Sequence, residues 1–454
     1  MIVNETPQLG MNEKFFLVVD TAKTGQQIAG LTIFARPSGA GADFVADLVG
    51  RLRHVRTFAA PFNYVLVKPK RRRIAPAVRI AADTEIDMSH HVRHHVLPAP
   101  GTHAQLDELI SELHAPTLDF TRPLWEFHVV DGLEGGRFAT FAKFHHAVFD
   151  GIGYINRFLH TVTATPEPDT LQPVWAVGAT GAAPAALPKP DKAELAAVKA
   201  YFKQHAKAGP TEYAAPFAAP KTMLAGRLTR NRRIDTTAWS LDRVRAIAAA
   251  GQVTVNDVLV SSVAGGLRRY LAERGRLPGT SLITSVPFSI RTAADDASAN
   301  AFSTILITMF TDIADPVQRL AAVGGSSRIA KADIRGRAPE VAAMYSPIIG
   351  GSFMLNQLTG LAGRIKPPFS LITSCIPGPD GPRWFAGAPL ESMLPIGPIY
   401  HGCGLMVTAL TMSGAFGVGL TSCPDVVPHA RLILDYSTAA LGELEAALLV
   451  GATN

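Results

Sequence analysis

The chain has 454 residues, 47% of them hydrophobic and only 18% charged, with a formal net charge of +6. That length is too great for one ordinary core, so two domains are expected, and the charge content falls below the roughly 25% of an average soluble protein. The modest, diffuse positive charge excludes a nucleic-acid-binding class, and three cysteines (Cys375, Cys403 and Cys423) exclude a disulfide framework and fit a reducing compartment.

Scarce charge with abundant apolar residues points to large buried interfaces, an apolar cavity or a surface that meets lipid. No basic run followed by a long apolar stretch opens the chain, so no signal peptide is expected. KFFLVVD at 14–20 and IAGLTIFARP at 28–37 are short apolar runs ending at turn residues and read as strands. SHHVRHHVLP at 89–98 gathers His90, His91, His94 and His95. Arg93 stands among them and no carboxylate or thiol completes a metal set, so a solvated, pH-sensitive strand is expected. Leu106, Leu109, Ile110 and Leu113 recur at helical spacing within 104–114, which gives an amphipathic helix with its acidic residues outward. Residues 122–146 read as two strands joined by a turn at 132–136, the second running from Arg137 into a pair of histidines.

From 169 to 220 Pro, Ala and Gly dominate, with one helical segment, AELAAVKAYFKQHAK. This stretch reads as a linker between an N-terminal half, 1–168, and a C-terminal half, 221–454. The second half opens with a basic run at 227–233. It continues with a helix over 255–275 and strands over 280–290, 303–310 and 369–376. Residues 341–363 carry no charge but are interrupted by Pro347, Gly350, Gly351 and Gly360, as in a broken buried or interfacial helix. Residues 402–424 form two apolar runs around Ser413-Gly414, a hairpin signal. Strands and helices mixed in both halves predict an α/β sandwich of two similarly built domains, with no transmembrane segment.

Neighbours on a strand face opposite sides. His146 therefore groups with Phe138, Thr140, Ala142 and Phe144, and His145 with Phe141 and Lys143. The two imidazoles do not converge on one metal ion or one substrate atom. Three readings stay open on the residues alone. One is a metal site, for which no further His, Cys or Glu cluster is at hand. The second is a pair of partly buried histidines at a strand end. The third is one working histidine supported by its neighbour.

HHAVFDG at 145–151 matches the HHxxxDG signature of the chloramphenicol acetyltransferase-like, CoA-dependent acyltransferases. With RPLWEF before it and TVNDVLV, SVPFSIR and ITSCIPGP after it, in the family's order, the chain resembles the bacterial wax ester synthase/diacylglycerol acyltransferase family over about residues 12–422. The resemblance implies two chloramphenicol acetyltransferase-like domains with mixed sheets and a channel between them. It implies an acyl-CoA-dependent O-acyltransferase that esterifies long-chain alcohols, diacylglycerol or both. His146 becomes the general base in mid-channel, with His145 as its support. Asp150 becomes a structural partner of Arg291, and Gly151 lets the chain turn beside the site. Asn256 and Asp257 match the ND motif, as catalytic support or as a helix cap. Pro123, Leu124 and Trp125 line the acyl channel or pack the core, and Ser374, Cys375, Pro377 and Gly378 close the site. Cys375 stands where the motif usually carries asparagine, and Gln26-Gln27 where the family usually has Met-His.

The chemistry agrees with that assignment. A hydroxyl attacking a thioester must lose its proton, and a neutral imidazole, with an unperturbed pKa of about 6.5, suits the task. The expectation is a ternary complex with no metal and no cofactor beyond acyl-CoA as co-substrate. The expected partners are acyl-CoA, the acceptor alcohol and a membrane or lipid-droplet surface. The protein would be cytoplasmic, held peripherally on the inner membrane or on lipid inclusions. The basic runs at 70–73 and 227–233 suit CoA phosphates or anionic lipid, and equally a solvated face. A carrier-protein acyl donor and a non-catalytic lipid-binding protein are the alternatives, and no oligomeric state is implied.

Overall fold

Two six-stranded mixed sheets flanked by helices form the computed structural model of the chain, which describes residues 7, 9–149, 151–178, 191–289 and 302–450. In chain order the first part contains α1 (Met11–Val19), β1 (Gln27–Ala35), α2 (Phe44–His54), β2 (Tyr64–Leu66), β3 (Val78–Ile80), α3 (Met88–His91) and β4 (Val92–Val96). It goes on with α4 (His103–His114), β5 (Trp125–Leu133), β6 (Arg137–His145) and α5 (Gly151–Leu159). Then come α6 (Lys192–Ala208), β7 (Arg233–Ser240), α7 (Leu241–Ala250), α8 (Val255–Ala272), β8 (Ile283–Ser289), β9 (Phe302–Thr308), α9 (Pro316–Arg335), α10 (Pro339–Ala342) and α11 (Tyr345–Leu358). The last elements are β10 (Leu371–Ile376), β11 (Trp384–Phe385), β12 (Ala388–Ile396), β13 (Leu405–Met412), β14 (Ala415–Ser422) and α12 (Arg431–Glu445).

The first sheet runs β11-β12-β1-β6-β5-β4 and the second β7-β14-β13-β10-β8-β9. Strands from late in the chain thus complete a sheet begun near its start. β12 pairs antiparallel with β1 from Ala29↔Ile396 to Phe34↔Leu390. β12 also lies across β14, and glycines make this approach possible. A Cβ on Gly417 would stand 2.5 Å from the Met393 carbonyl, and one on Gly419 2.9 Å from that of Pro395. A large core joins the second sheet to α7, α8, α9 and α12, while the first sheet packs its own core around Trp125, Phe138 and Phe144. A third cluster sets Leu106 and Ile110 of α4 against Leu31 and Phe141, with Ile234 of β7 and Leu394 of β12.

Three local readings are corrected. KFFLVVD belongs to helix α1, not to a strand. Its apolar residues run without alternation, and packing decides the matter by burying Leu17 and Val19. The histidines at 90–95 are not a solvated strand. His91 closes α3 and is buried, stacked on Trp125 at 4.2 Å, while His95 in β4 meets His128 at 3.0 Å. Asp107 is not an outward residue of α4: it is fully buried against β7, and only Glu108 and Glu112 face out. The hairpin at 402–424 forms as β13–β14, with Ser413 and Gly414 both at positive φ. Among the described residues no single helix is long and apolar enough to cross a membrane.

Candidate active site

β6 ends at His145, and His146 begins the turn that leads to α5. The Leu124 carbonyl accepts the His145 backbone N–H at 3.1 Å, and the Gln26 carbonyl accepts that of His146 at 2.7 Å. The two side chains then part. His145 is buried, and its Nδ1 accepts the Ala147 N–H at 3.1 Å, which places the ring proton on Nε2. That Nε2 stands 3.4 Å from Asp20 Oδ2, close enough for electrostatic contact but poorly aligned for a full hydrogen bond. Asp20 is itself buried. It accepts the Gln26 N–H at 2.9 Å and lies 3.4 Å from the Arg72 guanidinium. Asp20, His145 and Gln26 thereby brace the backbone from which His146 projects. No motif singles out Asp20.

His146 is half-buried and stacks on Phe16 of α1, with ring centroids 4.0 Å apart and planes inclined by 17°. It lines a cavity of ≈ 240 Å³. The other walls are Ile28 and Ala29 of β1, Gly151, Tyr154 and Ile155 of α5, Pro287 and Phe288 of β8, and Ser374 to Pro377 at β10. Pro395 to Pro398, at the end of β12 and just beyond it, and Met406 and Thr408 of β13 complete it. Both sheets therefore contribute to one apolar chamber. Its few polar groups are held in defined states. Burial pushes the Cys375 thiol up to about 12 and raises the Tyr154 phenol above its ordinary value. Thr408 Oγ1 donates to the Pro395 carbonyl.

The other sequence candidates are distributed as follows. Ser374, Cys375, Pro377 and Gly151 line the cavity. Gly378 stands just behind it, its N–H donated to Thr411 Oγ1 at 2.8 Å. Pro123, Leu124 and Trp125 do not line it. All three are buried, and Trp125 donates its indole N–H to the Phe62 carbonyl at 2.8 Å. Their link to the site is the Leu124 carbonyl that holds His145. Asn256 and Asp257 also lie off the cavity: Thr254 caps α8, and Asp257 Oδ2 accepts its N–H and O–H at 2.9 and 2.7 Å. Asp150 and Arg291 lie outside the described residues. Among the described residues no group of three or more His, Cys, Asp or Glu gathers around a possible metal. Phe16, Tyr154 and Met406 join the site without any signal in the sequence, because each reaches it through packing from a different element.

Two family profiles match the chain. The wax ester synthase/diacylglycerol acyltransferase catalytic domain covers residues 9–259, and the WS/DGAT C-terminal domain covers residues 298–445. A Mycobacterium tuberculosis protein named as a diacylglycerol O-acyltransferase is 32% identical over 488 residues, spanning 97% of this chain and 97% of the relative. The solved wax ester synthase/diacylglycerol acyltransferase from Marinobacter aquaeolei VT8 superposes with a TM-score of 0.79 at 29% identity, over 98% of this chain and 99% of that one. The first condensation domain of the calcium-dependent antibiotic synthetase shares the fold, with a TM-score of 0.56 at 15% identity over 98% and 96% of the two chains.

Proposed function

Because the chain belongs to the wax ester synthase/diacylglycerol acyltransferase family, and is an acyltransferase, we propose that it moves a long-chain acyl group from CoA to the hydroxyl of a fatty alcohol or diacylglycerol, with His146 as general base. The observation that carries this reading is the position of His146, whose imidazole lines the apolar cavity to which both sheets contribute and is held there against Phe16. An imidazole is the kind of side chain suited to general-base work, whereas burial raises the Cys375 thiol and the Tyr154 phenol away from it.

The acceptor hydroxyl attacks the thioester carbonyl while His146 takes its proton, forming a tetrahedral oxyanion and an imidazolium. The C–S bond then breaks, the carbonyl re-forms as the ester, and the imidazolium protonates the leaving thiolate to give free CoA. Ser374 offers a hydroxyl on the same cavity wall for the developing oxyanion. The apolar walls exclude water, so the acyl group passes to the alcohol instead of being hydrolysed. A neutral Cys375 thiol makes a poor nucleophile, which supports direct transfer in a ternary complex.

Peripheral attachment to a membrane or lipid inclusion is part of the same proposal. Leu355, Leu358 and Leu361 are exposed at the end of α11 beside Arg364 and Lys366, and Arg227 is bonded to the Gly360 carbonyl there. The deciding assay is turnover of palmitoyl-CoA with hexadecanol or dipalmitoylglycerol. Ester formation supports the reading. Transfer only from an acyl carrier protein, or lipid binding with no turnover, would overturn it.

A further inference from the structure

We propose that a basic depression between the start of α8 and the later turns of α9 binds the phosphates of the CoA nucleotide, and that the pantetheine arm reaches His146 through a parting in the second sheet. The site rests on the acyl-CoA reading above. Arg328, Lys331 and Arg335 recur at i, i+3 and i+7, so one face of α9 presents all three. They line a depression of ≈ 460 Å³ whose other walls include Thr254, Asp257 and Phe288.

The charges there do not cancel. Asp257 is 2% exposed and spends Oδ2 on Thr254, while its Oδ1 lies 4.0 Å from Lys331 Nζ. Lys331 thus offsets the single carboxylate. Arg328 and Arg335 are exposed and have no hydrogen bond or ion pair to a described residue; Arg335 only overlies the Phe288 ring at 5.3 Å. Two planar guanidiniums beside one concavity match a multiply charged phosphate ligand, which they bind in bidentate fashion. Most guanidiniums of the basic runs legible in the sequence are already engaged, which leaves Lys70 and Arg71 as the exposed pair to test against this site. Arg72 covers the Phe120 ring and Arg73 donates to the Val18 carbonyl. Arg227, Arg232 and Arg233 bind Ala362, Lys23 and Asp235 in turn.

The depression and the cavity adjoin at one residue. Phe288 belongs to the walls of both. β8 and β10 pair in parallel only at Leu371↔Thr284 and Ile372↔Ser285. The ladder stops before Pro287, which has no N–H to donate. Beyond that point Pro287 and Phe288 on one strand, and Ser374 and Cys375 on the other, line the cavity of His146. The path proposed for the thioester arm runs between these two strands where their ladder has ended.

The test uses Arg328→Gln and Arg335→Gln, singly and together, with palmitoyl-CoA and with palmitoyl-pantetheine, which lacks every phosphate of the nucleotide. Each substitution is expected to raise KM for palmitoyl-CoA by about ten-fold, the scale of one charge-assisted contact, with kcat maintained. The preference for palmitoyl-CoA over palmitoyl-pantetheine should shrink by the same factor. A Lys70→Gln/Arg71→Gln pair should leave that preference intact. Calorimetric titration with free CoA reads the site without turnover, and the double arginine variant should lose most of the affinity. Loss of CoA binding would support the site even if no alcohol were esterified. Normal turnover with an unchanged donor preference and unchanged CoA affinity would overturn the site and leave the acyltransferase reading standing, as would a preference abolished by Lys70→Gln/Arg71→Gln instead.

Discussion

A base that removes a proton inside an apolar chamber has no ready substitute, so His146→Ala is expected to lower kcat by roughly 10²–10⁴ with the fold retained. Steady-state kinetics beside a thermal melt checks this, and near-normal turnover by the folded variant would remove His146 from the mechanism. Cys375→Ala provides the contrast. With its thiol held neutral, the residue shapes a wall, and its loss should change turnover by no more than about ten-fold. A collapse to background would instead indicate a covalent acyl-enzyme. At this scale the paired histidines and the cavity residues Ser374, Cys375 and Pro377 could be read from motifs, because motif and wall coincide there. Asp20 could not. Its contact with His145 joins distant positions in the chain, and it closes a segment whose unpatterned apolar residues mimic a strand. Trp125 was legible both as a motif residue and as a core candidate, and the choice between channel and core waits on where the indole N–H finds its partner, here the Phe62 carbonyl.

Between elements, α4 docks on β7 through Ser111, whose Oγ accepts the Ile234 N–H at 2.8 Å, His103, which meets Thr236 Oγ1 at 2.6 Å, and a buried carboxylate. Asp107 accepts the Thr236 N–H at 3.0 Å and its O–H at 2.5 Å, with Arg431 at 3.4 Å and His103 at 3.8 Å. Burial outweighs these donors and pushes Asp107 up to about 7. The folded chain therefore holds a proton that the unfolded chain releases at about 3.9. The resulting stability is fully present below that value and is lost as pH rises toward 7. Asp107→Asn should accordingly show a flatter melting temperature between about pH 4 and 7 than the parent protein, with Arg431 and His103 still in place in both. Parallel curves would contradict the assignment. The β13–β14 hairpin and the apolar stripe of α4 were readable because each carries a period or a turn residue. The burial of Asp107 was not, since helical spacing places it beside an outward glutamate and only β7 reveals its role. Nor does any alternation in β12 indicate which sheet it joins.

For the molecule as a whole, scarce charge becomes a surface property at the end of α11. Leu355 is 60% exposed and Leu358 54%. With Arg364 and Lys366 alongside, this ridge should adsorb to anionic liposomes. Each cation near the surface contributes about 1 kcal/mol and is screened by salt, while the leucines are not. Binding should therefore fall, but not vanish, between low and high ionic strength. Leu355→Ser with Leu358→Ser should remove most of the salt-resistant remainder, by about ten-fold. Co-sedimentation measures both effects, and an absence of binding at either ionic strength would rule out surface attachment.

β12, an interior strand of the first sheet contributed by the far end of the chain, also acts as a tether. A chain cleaved between residues 178 and 191 would remain one particle, because the ladder from Ala29↔Ile396 to Phe34↔Leu390 joins the two fragments without a peptide bond. The nicked protein should elute intact from gel filtration, keep its cavity and continue to esterify, coming apart only in denaturant. Made alone, the earlier fragment would present β1 as a bare edge and lack the β10, β12 and β13 walls around His146, which invites aggregation and leaves no chamber. The two pieces should complement each other when folded together and be inert when folded apart.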